Sequence, residues 1–166
     1  MILEIFIKSF WAGIAAIGFA VLFNVPRRVI FSIWSLGAIG GLIKFTVLHF
    51  DSGVVFASFL GATVIGIISI QMAHMRHSPP LVFSIPAVIP MVPGVFAYKM
   101  MLGLIALANI EKTDVYMQTL IETVSNGAKM TFVLIALGIG VALPMLITRK
   151  ESIKKSPFNK GKKATV

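Results

Sequence analysis

The stretch SIPAVIPMVPGVFAYKMM, residues 84–101, sets Pro86, Pro90, Pro93 and Gly94 inside an otherwise apolar run. Each proline removes a backbone donor, and its ring clashes with the carbonyl four residues earlier, so a straight helix through Val92 is disfavoured. The residues before them, Ile85, Ile89 and Val92, are biased towards extended backbone. Whether such an interruption is tolerated depends on the solvent that surrounds it.

Composition identifies that solvent. Of 166 residues, 57% are hydrophobic and 13% charged, and the mean hydropathy is +0.94, well above a soluble domain of this size. The chain reads as an all-α, polytopic membrane helix bundle with the lipid bilayer as its surroundings. A crossing helix needs about 20 apolar residues, and five runs are candidates, at 5–23, 29–48, 54–73, 81–108 and 120–147. Four spans remain an alternative, because the second run carries Gly37, Gly40, Gly41 and Lys44. Glu4 and a lone Lys8 precede a long apolar segment, which fits a first span better than a signal peptide. The transmembrane domain is placed at 1–148, and the polar, Lys-rich segment 149–166 is read as a disordered tail.

Charge placement predicts orientation. Arg27, Arg28 and Arg76 fall in two connections and seven Lys or Arg lie in the tail, whereas Asp51, Glu111 and Asp114 occupy the intervening connections. Lys and Arg beside apolar spans stay on the cytoplasmic side, so the N-terminus is expected outside and the C-terminus inside. That alternation favours five spans over four. The net charge of +9 comes without an aromatic-interleaved basic face, so no nucleic-acid partner is expected. The tail serves either as a topology signal or as a contact for anionic headgroups.

In lipid, freed backbone is tolerated only where protein buries it or where it lines a water-filled cavity. The fourth run, at 81–108, is longer than one span requires. It is therefore expected to form two half-helices joined by an irregular turn between Pro86 and Gly94, with Pro93–Gly94 opening the second. Free N–H groups at that start would favour an anion, and broken helices of this kind mark substrate sites in secondary transporters. A simple proline kink is the structural alternative.

Ionisable residues within spans point to the same region. Lys99 and Lys129 fall at similar depth, and Glu122, Asn126 and Lys129 share one helix face at i, i+4 and i+7. Lys44 lies nearer the outer surface, where an ammonium can snorkel to headgroups. The candidate substrate-binding residues are Pro90, Pro93, Gly94, Tyr98, Lys99, Asn126 and Lys129, with Glu122 as candidate coupling residue. An electropositive cavity suits a small carboxylate. Cysteine is absent, which removes thiol chemistry and disulfides. His49, His74 and His77 have no carboxylate or Cys at ligand spacing, so neither a metal nor another cofactor is expected. No nucleophile–base motif marks an enzyme.

Small residues recur at Gly37 and Gly41, at Ser58, Ala62 and Gly66, and at Ala136 and Gly140. Such faces let helices approach closely, within the chain or against another subunit.

The segments GFAVLFNVPRR (18–28), LGAIGGLIK (36–44) and IPAVIPMVPGVFAYKMM (85–101) together resemble the small subunit of the threonine/serine exporter family. Pro86, Pro90, Pro93 and Gly94 with Tyr98 form the most specific part. The resemblance implies an inner-membrane exporter half for amino acids such as threonine and serine or a dicarboxylate such as succinate, working with a larger partner subunit. Two five-span units in series acquire inverted topology, a common transporter plan. The alternatives are a non-transporting structural or regulatory subunit, a channel-forming subunit, and a homo-oligomer.

Overall fold

The computed structural model describes residues 2–109 and 113–148; Glu111 and the tail assigned to 149–166 lie outside them. Helix α1 (Ile2–Leu22) and helix α2 (Ile30–His49) form an antiparallel hairpin. The chain reverses at Asn24, φ 54°, a left-handed conformation that Asn tolerates better than most residues. The Val25 N–H bonds the Ala20 carbonyl at 2.9 Å, and a 3₁₀ turn at Arg27–Val29 leads into α2. Gly37 and Gly41 face α1. A Cβ on Gly37 would sit 2.7 Å from Ala16 Cβ, and one on Gly41 would sit 3.1 Å from Ala12 Cβ.

Helix α3 (Val54–Arg76) returns across the bundle. It ends at His77, φ 50°, with the Ser78 N–H on the Ala73 carbonyl at 3.2 Å, a left-handed stop. Helix α6 (Thr113–Thr148) has 36 residues, about 54 Å at 1.5 Å per residue. Its C-terminal half runs beside α3, where a Cβ on Gly140 would lie 2.9 Å from both Ala62 Cβ and the Phe59 carbonyl. The small-residue faces are thus used inside the chain. One core joins Ile33 and Leu36 of α2, Ile65 of α3 and Val133 and Leu137 of α6 with Phe83 and Ala87.

The fourth run is broken, as its prolines require. Helix α4 (Pro80–Val88), a 3₁₀ turn at Ile89–Met91 and helix α5 (Gly94–Leu107) follow one another, and the two arms bend by 53°. Among the described residues four other helices are long and apolar enough to cross a membrane, and the bent pair, a broken span or a re-entrant loop, brings the number to four or five.

The position of the break differs from expectation. Pro86 stays inside α4, buried, and Ile89 is helical at φ −57°, ψ −40°. Pro80 in the first turn pre-sets the helix, so Pro86 forfeits one internal bond in a short helix already wedged against α2 and α3. Val92 alone is extended, at φ −61°, ψ 131°. Pro93, at φ −83°, ψ 69°, is the centre of an inverse γ-turn, closed by the Gly94 N–H on the Val92 carbonyl at 2.9 Å.

Candidate functional site

The break frees carbonyls that a continuous helix would satisfy. Met91 is buried, and its carbonyl accepts a hydrogen bond from Lys44 Nζ at 2.6 Å. The expectation that Lys44 reaches the outer headgroups is therefore corrected: it is 9% exposed and turned inward. The physical reason is the cost of leaving a buried carbonyl unpaired. Glycines make the room. A Cβ on Gly61 of α3 would lie 2.5 Å from Met91 Cε and 2.9 Å from the Gly40 carbonyl. Replacing Lys44 by Met leaves the carbonyl without its donor, and the expected loss is about 1–2 kcal/mol of stability. Thermal unfolding of the purified protein in detergent measures it; an unchanged midpoint contradicts the assignment.

Beyond the break, α5 and the N-terminal half of α6 pair antiparallel. Gly103 meets Thr123 so closely that any Cβ would overlap its Oγ1, and a Cβ on Gly127 would lie 3.0 Å from Met100 Sδ. Thr123 is buried and donates to the Thr119 carbonyl at 2.6 Å. Positions 99, 103 and 106 of α5 share one face, as do 119, 122, 126 and 129 of α6. Between these faces lies a groove of about 660 Å³, lined by Lys99, Glu122, Asn126 and Lys129 among others. Lys129 Nζ also stands 5.9 Å from the Phe96 ring centroid, within cation–π range. No salt bridge joins Glu122 to Lys99 or Lys129.

Two ammonium groups and an amide can hold a carboxylate, and Glu122 beside them can accept a proton or an amino group. Four of the residues singled out in the sequence therefore come together. The others do not. Tyr98 lies off the groove and is 64% exposed, while Pro90, Pro93 and Gly94 form the break. Nothing lies within 4 Å of where a Gly94 Cβ would stand. At the start of α5, however, Gly94, Phe96 and Ala97 N–H groups all bond backbone carbonyls, so the half-helix offers fewer free donors than expected.

Thr119, Ser125 and Gly103 also line the groove. Thr119 was within reach of the sequence, since stepping back three residues from Glu122 stays on one face. Ser58 and Ser84 bury hydroxyls that have no hydrogen-bond partner, and nothing in their apolar neighbourhoods signals it. A second cleft, about 860 Å³, lies at the other end, where His74, His77 and Pro79 meet Met145. It holds none of the candidate residues. Among the described residues no cluster of His, Cys, Asp or Glu could hold a metal ion.

Residues 8–147 match the family profile described as threonine/serine exporter, ThrE. An uncharacterized protein of Haemophilus influenzae is 33% identical over 145 residues, covering 87% of this chain and 48% of that protein. The chain thus spans about half the length of that relative. No solved structure matches it significantly. A multi-pass helical bundle, a helix pair broken at Pro93–Gly94 and a family match over most of the length lead to one conclusion: the chain belongs to the threonine/serine exporter family, a family of membrane transport proteins rather than enzymes.

Proposed function

We propose that this chain is one half of a secondary-active exporter of small carboxylates in the bacterial inner membrane, working with a larger partner unit. The observation that carries the reading is the meeting of Lys99, Glu122, Asn126 and Lys129, from two separate spans, around one groove. Lys99 and Lys129 bind the carboxylate, Asn126 orients it, and Glu122 carries the coupling proton. The substrate class is a dicarboxylate such as succinate or an amino acid such as threonine or serine. Liposomes holding this chain with its partner unit, loaded with labelled succinate or threonine, should release one of them down an imposed proton gradient. Release of neither substrate under any gradient contradicts the reading.

In this proposal the Asp51 end of the bundle is extracytoplasmic and the Arg27–Arg28 end cytoplasmic, following the Lys and Arg distribution. The absence of cysteine makes single-cysteine variants free of background. Ser52→Cys should react with an impermeant thiol reagent in intact cells, and Ser78→Cys only after permeabilisation. The reverse pattern inverts the topology.

A further inference from the structure

Helix α5 has no buried residue, and the helix it packs on most extensively is α6. α6 runs beside α3 with Gly140 against Ala62. In that register Phe132 is level with Val54, where α3 begins. The stretch of α6 from Thr113 to Thr131, about 28 Å of helix, therefore continues past the end of α3 with α5 as its companion. Tyr98, Met101 and Ile105 of α5 and Met117, Ile121 and Val124 of α6 are each more than half exposed. Into this apolar hairpin opens the groove that carries Lys99, Glu122, Asn126 and Lys129.

Neither solvent phase matches such a surface. Lipid leaves the charged groove without partners, at a cost of a few kcal/mol per ionised group. Water leaves a contiguous apolar face uncovered, which marks interaction surfaces. A protein surface that is apolar at its edges and polar at its centre matches both halves. The contrast is α1, whose exposed Phe6, Phe10 and Trp11 form an apolar face suited to lipid, with the Glu4–Lys8 pair beside them at its N-terminal end.

We infer that the α5–α6 hairpin is the docking surface for a second membrane-helical unit of different sequence, and that this unit supplies the missing wall of the carboxylate groove. The inference rests on the exporter reading and adds where the halves meet. Two observations select the occupant. The match to the Haemophilus protein covers 48% of its length, so as much chain again exists there with no counterpart in this sequence. Among the described residues the groove also holds two ammonium groups against one carboxylate. A second copy of this chain would bring two more lysines to it, whereas a unit presenting an acidic or neutral polar wall balances them.

Site-specific photocrosslinking in native membranes tests this. Benzoylphenylalanine in place of Tyr98, Met101 or Ile121 probes the hairpin, and in place of Phe6 or Phe10 probes α1. After illumination, mass spectrometry should find the hairpin positions joined to the family's second unit, as a separate chain or as the remainder of the same polypeptide, and the α1 positions joined to nothing beyond this segment itself, where Phe10 already packs on Trp34. Hairpin products joined to a second copy of this segment, or to lipid alone, overturn the inference. Carboxylate efflux from the same membranes separates the two readings. Efflux without hairpin crosslinks refutes the docking surface and leaves the exporter standing, and crosslinks without efflux do the converse.

Discussion

Export of a small carboxylate by the Lys129→Met variant is expected to fall at least about tenfold at sub-saturating substrate, and by a similar factor for Lys99→Met. A hydrogen bond from a charged donor to a carboxylate is worth about 1.5–3 kcal/mol, and about 1.4 kcal/mol is a factor of ten in binding. Both lysines line the groove, and neither is paired with Glu122, so Glu122 does not compete with a substrate anion for them. The structural contribution of Lys129 is smaller, since its stacking over Phe96 is worth about 0.5–1 kcal/mol at an exposed site. Protein level and thermal stability should therefore change little while flux collapses. Flux within twofold of the parent for both variants, about 0.4 kcal/mol or less by the same conversion, would place the substrate elsewhere.

The second large effect concerns packing. Gly140→Leu is expected to lower the yield and thermal stability of folded protein, because the new Cβ would stand 2.9 Å from the Phe59 carbonyl and 3.2 Å from the Thr63 nitrogen. These are backbone atoms that cannot swing aside, so α3 and α6 must separate. Overpacking of this kind costs about 1–3 kcal/mol, an appreciable part of a total stability near 5–15 kcal/mol. Gly138→Leu, two positions away, is the control, since nothing lies within 4 Å of its Cβ position. Yield and monodispersity in detergent compare the two. Equal yields contradict the close α3–α6 contact.

The spans and the interruption were legible because they follow from hydropathy and from proline's missing donor, both local properties. The placement of the break was only partly legible. Pro86 could remain helical because α2 and α3 brace the short α4, and bracing is tertiary. Lys44 was misread for a related reason. Its distance from the end of α2 suggests an outer position, but its partner, the Met91 carbonyl 47 residues away, depends on how α2 and the break are aligned. Lys99 and Lys129 stand at one level of the α5–α6 pair, because the antiparallel pairing around Gly103 and Thr123 brings those two positions together. Tyr98 precedes Lys99 by one residue, which turns it about 100° around the helix and off the groove. The Ser58 and Ser84 hydroxyls carry no sequence signal, since isolated serines are common in membrane helices.

The central claim, that the α5–α6 groove binds the exported carboxylate, is tested most directly at Asn126, which lines the groove in a chain free of cysteine. The measurement is the alkylation rate of Asn126→Cys by a water-soluble thiol reagent in membranes containing the complete transporter, with and without succinate or threonine. The account predicts that the cysteine reacts, and that one of these carboxylates slows the reaction in a saturable manner while its uncharged amide does not. An unreactive cysteine, or one whose rate no small carboxylate alters, would contradict it.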